Sequence, residues 1–430
     1  MINLPLNNSI ILCYDTVMNI QTLKGFRDFL PLEARKRQFV LDKIKTVFTS
    51  FGFEPLETPS LEYEELLMGK YGDEGDKLMY RFEDNGARRV AMRYDQTVPL
   101  ARVIAQYQNQ LPLPFKRYQM QPVWRADKPQ KGRFREFMQC DADIIGVDTP
   151  LSDAEIIISA GKAIEALGFK NFKILINDRN IFSNLTTAFE QSVKENELPM
   201  VIRAIDKLKK IGEEKVIEEL VENGLSTERA TYILQTLMDQ QPTMRLKMIF
   251  HLIKQMGLKA EQFVFLPTLA RGLDYYTGLI FEIEIEGYTV GSVGGGGRYN
   301  NLIGMFAGKQ IPAVGFALGF DRLLEAMEEQ QLFPMDLQQT KVLVSIFNID
   351  FEDKAVAISS LLRANSINAE LYLDSNVKME KQLKYADAKQ IPYVIIQGPD
   401  EVEKNVVILK NLAAREQQTL TIDEVSKILQ

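Results

Sequence analysis

Two stretches far apart in this 430-residue chain carry residues suited to holding a nucleotide. The first, Val123-Trp124-Arg125-Ala126-Asp127-Lys128-Pro129-Gln130-Lys131-Gly132-Arg133-Phe134-Arg135-Glu136-Phe137-Met138-Gln139, places an arginine at a strand end, then a charged loop with one glycine, then a returning Arg-x-Glu-Phe strand. Guanidiniums so spaced can clamp a triphosphate, because arginine stays charged and binds oxygens in pairs. The second runs from Gly294-Gly295-Gly296-Gly297-Arg298-Tyr299 to Gly315-Phe316-Ala317-Leu318-Gly319-Phe320-Asp321-Arg322-Leu323. It reads as a glycine-rich strand leading into a helix headed by Asp-Arg, able to close the far side of the same ligand. No GxxxxGK[ST] pattern is present there, so a P-loop is excluded. Between them lies Ala270-Arg271-Gly272-Leu273-Asp274-Tyr275-Tyr276-Thr277-Gly278, a third arginine beside two tyrosines.

Composition narrows the chemistry further. The one histidine, His251, and two cysteines, Cys13 and Cys140, exclude a structural zinc site, a disulfide framework and any mechanism needing paired histidines. Arginines, carboxylates and a bound cation remain, an inventory suited to phosphoryl or nucleotidyl transfer, which runs on positioning and charge stabilisation. His251 itself reads as a structural helix residue. The formal net charge of −7 argues against broad nonspecific nucleic-acid binding but leaves a local basic patch open. No apolar run approaches the ~20 residues that span a bilayer, and the low cysteine content fits a reducing cytoplasm.

Such residues need elements to position them. The length predicts two or three domains. Leu32 to Ser50 has helical spacing and stops at Gly52, a helix cap, before Glu57-Thr58-Pro59-Ser60-Leu61-Glu62 begins a strand with proline at its start or edge. Strand patterns at 78–82, 89–94 and 115–120 read as one antiparallel sheet. A helix at 151–167 and a strand at 172–176 follow. From about 184 to 255 the pattern is helical and rich in Lys and Glu; its basic stretch Lys207-Leu208-Lys209-Lys210 reads equally as a solvated face or an RNA contact. Strands resume at 279–285. Beyond a polar stretch holding Pro334, alternating strands and helices predict a mostly parallel α/β domain.

These motifs carry a resemblance. The two nucleotide stretches are similar to motifs 2 and 3 of the class II aminoacyl-tRNA synthetases. The segment around Pro59 resembles motif 1, and Arg271 to Tyr276 resembles the peptide characteristic of the histidyl-tRNA synthetases; the likeness spans about 20–430. It implies an α+β catalytic domain built on an antiparallel sheet flanked by helices, with a helical insertion domain and a C-terminal α/β anticodon-binding domain. The implied boundaries are an N-terminal extension at 1–17 ahead of Met18 as natural start, catalytic parts at 18–183 and 257–328, the insertion at 184–256, a linker at 329–340, and the anticodon-binding domain at 341–430.

The resemblance also implies an activity. Histidine would be activated with ATP and Mg²⁺ to an adenylate, then transferred to the terminal adenosine of tRNA(His), by a cytoplasmic homodimer joined through the Pro59 segment, with no membrane. Arg125 and Arg271 would hold the α-phosphate and substrate carboxylate from two sides as the catalytic pair. Asp95, Gln96, Thr97 and Gln139 would hold the ammonium, and Asp143 and Tyr276 the two imidazole nitrogens, with Tyr275 lining the pocket. Phe137 and Arg322 would sandwich adenine, Asp127 would orient its amino group, and Arg133 or Arg135 would meet the outer phosphates, with either assignment open. No protein side chain is assigned to a metal. Aspartate at 95 and 143, where many bacterial members have glutamate, resembles the eukaryotic and archaeal branch. The rivals are a catalytically inactive paralogue, such as the regulatory subunit of ATP phosphoribosyltransferase, and a sister synthetase for threonine, proline or glycine. Residues 341–430 and the intact Arg125, Arg271 and Arg322 speak against the first, and the tyrosine-bearing peptide against the second.

Overall fold

The computed structural model describes residues 20–430 apart from 184, 186–192, 195, 272–274 and 335. The expectations for the N-terminal extension and Met18 lie outside these residues. The chain divides into two compact units, Met1–Phe333 and Pro334–Gln430, with the division inside the expected linker.

The first unit opens with the helix Pro31–Ser50, whose proline sits at the first turn, where its missing N–H costs nothing. Val40, Ile44 and Phe48 form its buried stripe. The helix ends as the sequence predicts: Gly52 adopts φ +75°, and the N–H groups of Gly52 and Phe53 donate to the Thr49 and Phe48 carbonyls at 3.0 and 3.1 Å.

Strands follow in the order β1 (Glu54–Pro55), β2 (Leu61–Tyr63), β3 (Arg81–Glu83), β4 (Arg89–Met92), β5 (Phe115–Trp124), β6 (Glu136–Ile145), β7 (Phe172–Asp178), β8 (Phe263–Phe265), β9 (Leu279–Ile285), β10 (Gly294–Arg298) and β11 (Ala313–Gly319). Eight of them form one sheet, ordered β1-β5-β6-β11-β10-β9-β7-β8. Its interior is antiparallel, while the outermost pairs, β1 with β5 and β7 with β8, are parallel, so the expected antiparallel sheet is mixed at its edges. The patterns at 78–82 and 89–94 do not join it. They give a separate small sheet, β2-β4-β3, in which β4 pairs with β2 on one edge and β3 on the other. Leu78 and Met79 precede β3 rather than forming part of it.

Strand alternation divides the large sheet into two chemically distinct faces. Tyr118, Cys140, Ala142 and Phe316 point one way and are buried; the Pro31–Ser50 helix covers them, with the Phe48 ring 5.9 Å from Tyr118 and 5.7 Å from Phe316. Arg117, Gln119 and Gln121 point the other way, and pair in register with Asp143, Asp141 and Gln139. This polar ladder across two central strands is the base of the candidate site.

The inserted segment is helical, with helices at Leu198–Ile205, Glu213–Glu222, Thr227–Met238 and Met244–Gln255. The last of these packs on the Pro150–Ala166 helix: Arg245 donates to Asp153 at 2.8 Å and to Asp148 at 2.6 Å. His251 lies exposed on this helix. In the basic stretch, Lys207 pairs with Glu219 at 2.6 Å and Lys209 with Glu284, both lysines remaining largely exposed.

The second unit holds β12 (Val342–Val344), β13 (Ala369–Leu371), β14 (Tyr393–Ile396), β15 (Val407–Asn411) and β16 (Glu416–Leu420), ordered β13-β12-β14-β15-β16. The first three are parallel, as expected from the βα alternation; β15 and β16 add an antiparallel hairpin. Val342, Val344, Leu362, Ile395 and Val425 build its core.

Candidate active site

The polar face of the sheet has a floor of small residues. Gly295, Gly297, Gly315, Ala317 and Gly319 occupy it on β10 and β11, beside Gln139, Asp141 and Asp143 on β6. Their smallness is required by what lies above. A Cβ on Gly295 would run into the Arg271 guanidinium, and one on Gly315 into the Asp143 carboxylate.

At one end of this face stand carboxylates and tyrosines. Asp95, nearly buried, accepts from the Tyr71 hydroxyl at 2.8 Å and from the N–H groups of Thr97 and Val98, each at 3.1 Å, which orients it at the start of the Thr97–Tyr107 helix. Burial raises its pKa, against the lowering effect of those donors and of Arg125. Thr97 is also within hydrogen-bonding reach of Tyr275. Tyr275 stacks at 4.9 Å on Tyr276 and at 6.0 Å on Tyr299, while Tyr71 meets Tyr94 at 4.7 Å. Burial raises the pKa of Tyr71, Tyr275, Tyr276 and Tyr299, so all four are neutral phenols. Asp143 receives the Tyr299 hydroxyl and pairs with the fully buried Arg117 at 2.7 Å. Between Gln139 and Asp143 sits Asp141. Burial pushes its carboxyl well above the usual range, and its Oδ1 has no hydrogen-bond partner; nor does Gln139 Oε1.

Gln96 also anchors the site, while its buried Oε1 has no hydrogen-bond partner. It is fully buried, and its amide donates to the carbonyls of Gln121 at 2.8 Å and Gln139 at 3.3 Å. Gln96 therefore ties the helix start to the sheet, because the residue after Asp95 turns inward there. Pro59 lies in the connection between β1 and β2. Arg93 fixes that connection, donating to the Thr58 and Pro59 carbonyls at 2.6 and 3.2 Å and to Pro122 at 2.8 Å.

The nucleotide end is built by arginines. Arg125 donates from Nε to the Tyr94 carbonyl at 3.0 Å, and its guanidinium lies 4.4 Å over the Tyr94 ring and 5.2 Å over Phe137. The cation over Phe137 is thus Arg125, whereas Arg322 donates to the Ser292 carbonyl at 2.6 Å. Arg271 reaches the Phe281 carbonyl at 3.4 Å and Glu282 at 3.1 Å. Burial works against its charge, but the Glu282 and Asp206 carboxylates favour it, and its pKa is raised. Arg133 projects half-exposed from the loop, 3.7 Å from Asp127. Arg135 is engaged with backbone, donating to Asp127 O at 3.1 Å and Lys24 O at 3.3 Å. Arg125 acts electrostatically on Tyr71, Asp95 and Asp141, and Arg271 on Tyr275 and Tyr276, so the two ends share one neighbourhood.

Tyr71, Arg117, Asp141 and Tyr299 were not singled out from sequence. A signal for three of them was present: Arg117 and Asp141 continue the period-2 polar rows of β5 and β6, and Tyr299 directly follows the glycine strand. Tyr71 carries none.

Comparison with known proteins agrees with this geometry. A family model described as histidyl-tRNA synthetase matches residues 25–323, and one described as anticodon binding domain matches 341–430. The histidine–tRNA ligase of Cytophaga hutchinsonii is 42% identical over 94% of this chain and 97% of its own, and that of Christiangramia forsetii is 39% identical over 94% and 98%. The crystal structure of histidyl-tRNA synthetase from Nostoc sp. PCC 7120 superposes with a TM-score of 0.83 at 29% identity, covering 96% of this chain and 99% of that one. With motif arginines, tyrosine peptide and glycine strand meeting on one sheet face, this chain belongs to the histidyl-tRNA synthetase family.

Proposed function

We propose that this chain joins L-histidine to ATP, giving histidyl-adenylate and pyrophosphate, and then transfers the histidine to the 3′-terminal adenosine of tRNA(His). The observation that carries this is the pairing of Arg125 and Arg271 across a glycine floor whose far end holds Asp95, Asp143 and the tyrosines. Arg125 follows β5 and Arg271 overlies β10, with β6 and β11 between them, so the strands that position the two guanidiniums are three spacings, or ~14 Å, apart. Charge gathering on the α-phosphate oxygens in the displacement would then be met from both sides, without reorganisation at the moment of reaction.

The amino-acid end follows the same logic. Asp95 and the partnerless Gln96 Oε1 and Gln139 Oε1, with Thr97, suit an ammonium, which has only donors to offer. Neutral imidazole carries one N–H and one lone pair; Asp143 would accept from the first, and the neutral Tyr276 hydroxyl would donate to the second. Arg117 and Tyr299 hold the Asp143 carboxylate in place. A ring lacking either nitrogen would leave a buried polar group unpaired, which is the strongest ground for rejecting isosteres. Phe137 and Arg322 would enclose adenine, Asp127 would orient its amino group, and Arg133, the freer of the two loop arginines, would meet the outer phosphates.

Mg²⁺ would enter on ATP. Triphosphate oxygens would supply ligands to it, and its chemistry would be neutralisation of phosphate charge. Homodimerisation through the Pro59 segment, the domain boundaries given above and a cytoplasmic location belong to the same proposal. No helix among the described residues is long and apolar enough to cross a membrane. Charging of unfractionated tRNA with each radiolabelled amino acid tests the whole reading. Histidine alone should become acid-precipitable; threonine, proline or glycine in its place would point to a sister synthetase.

A further inference from the structure

The opening segment Leu23–Pro31 has no substrate-binding role above, yet it joins separate parts of the nucleotide end. The Gly25 carbonyl accepts from the N–H groups of Arg135 at 2.9 Å and Glu136 at 3.5 Å, so the chain lies flush on the returning strand of the motif 2 loop. Two residues on, the Arg27 guanidinium stacks 3.2 Å from the centre of the Phe134 ring, at the end of that loop. Its Nη2 also donates to Asp321 Oδ1 at 2.7 Å. Arg37 donates to the same oxygen at 3.0 Å and lies 3.8 Å over Phe29 and 4.8 Å over Phe320. Asp321 stands in the first turn of the Phe320–Glu329 helix, immediately before Arg322, with its side chain 7% exposed. A carboxylate there is favoured by the helix's positive end. One side chain therefore touches the loop that carries Arg133 and the residue next to Arg322.

The other ties on this loop are weaker. Lys131 reaches Glu325 at 3.3 Å and Glu329 at 3.0 Å, but its side chain is 67% exposed and solvent screens it. The Arg133–Asp127 pair lies within the loop and anchors it to nothing outside.

We propose that Arg27 is a positioning residue for ATP, fixing the motif 2 loop against the Asp321-Arg322 helix so that Arg133 and Arg322 stand at a set separation before nucleotide arrives. The role needs arginine. Its planar fork can stack on Phe134 and donate to Asp321 together, which a lysine ammonium cannot reproduce. The inference rests on the histidine-activation reading.

Steady-state ATP–pyrophosphate exchange on wild type, Arg27→Lys, Phe134→Leu and the double variant tests it, with unfolding temperature measured alongside. The expected result is a KM for ATP raised ~10-fold or more in Arg27→Lys, with the KM for histidine within about two-fold of wild type. Phe134→Leu should show the same split, and the double variant should be no worse than the larger single, since both changes break one contact. Equal changes in both KM values, or a lowered unfolding temperature with unchanged kinetics, would overturn the proposal. Should Arg27→Lys fail to fold, Phe134→Leu alone decides by the same criterion. Wild type without histidine-dependent exchange would remove the underlying reading and this inference together; active wild type with unchanged variants removes this inference alone.

Discussion

Substituting Gly295 by alanine separates the fit of the floor from the stability of the strand. An added Cβ would stand 2.6 Å from the Phe281 carbonyl oxygen, roughly 1 Å inside ordinary contact, and nearer still to the Arg271 guanidinium. Backbone cannot yield easily at a central strand, so Arg271 must move by a comparable distance. A misplacement of ~1 Å at a charge-stabilising group can cost ~10²-fold in rate, close to the ~10²–10³ expected from deleting the arginine outright. Gly294→Ala provides the contrast. Its Cβ would meet Leu318 at 2.8 Å on the helix-covered face, away from Arg271. Both variants should lose about 1–3 kcal/mol of stability through overpacking, measured by denaturant unfolding. Only Gly295→Ala should lose exchange activity at saturating substrates, and Gly295→Ala with Arg271→Ala should be no slower than Arg271→Ala alone. Equal activities for the two glycine variants would refute the claim that the floor is shaped to seat Arg271.

Other residues yield further expectations. Asp143→Asn leaves Arg117 charged and unpaired at 0% exposure, so unfolding stability should fall by about 3–5 kcal/mol, with a raised KM for histidine; an unchanged denaturation midpoint would contradict the buried pair. Tyr299→Phe removes one donor from Asp143 and should raise the KM for histidine ~10-fold at little cost to the KM for ATP. Asp141 gives a pH dependence. Its pKa is raised by burial, so the folded state holds a proton the unfolded state releases above ~4, and the associated stability is lost as pH rises through the folded value. Asp141→Asn should therefore unfold at a higher temperature than wild type near neutral pH, the gap closing as pH falls towards 4; a gap independent of pH would contradict a neutral Asp141.

Much of this site could be read from sequence because its key residues sit in local motifs. Arg125 with its charged loop, the glycine row and the Arg271 peptide each announce chemistry within a few residues. What escaped depends on pairing across the chain. Arg117 matters because β5 and β6 place it opposite Asp143, and Tyr299 because β10 returns it to the same carboxylate. Gln96 shows the same dependence: only the fold reveals that its amide N–H groups donate to the Gln121 and Gln139 carbonyls while its Oε1 stays without a partner. In the second unit, Glu416-Gln417-Gln418-Thr419-Leu420 forms an edge strand with no apolar alternation, since four of its residues face solvent, and so gave no periodic signal. The separate β2-β4-β3 sheet was hidden similarly, because strand patterns do not reveal which strands pair with which.

The most direct test of the central claim is ATP–pyrophosphate exchange on the intact chain with each of the twenty amino acids, run beside Arg271→Ala. Exchange driven by histidine alone, and reduced ~10²–10³-fold in the variant, is the result this account predicts. Exchange driven by another amino acid, or none from a folded wild-type protein, would contradict it.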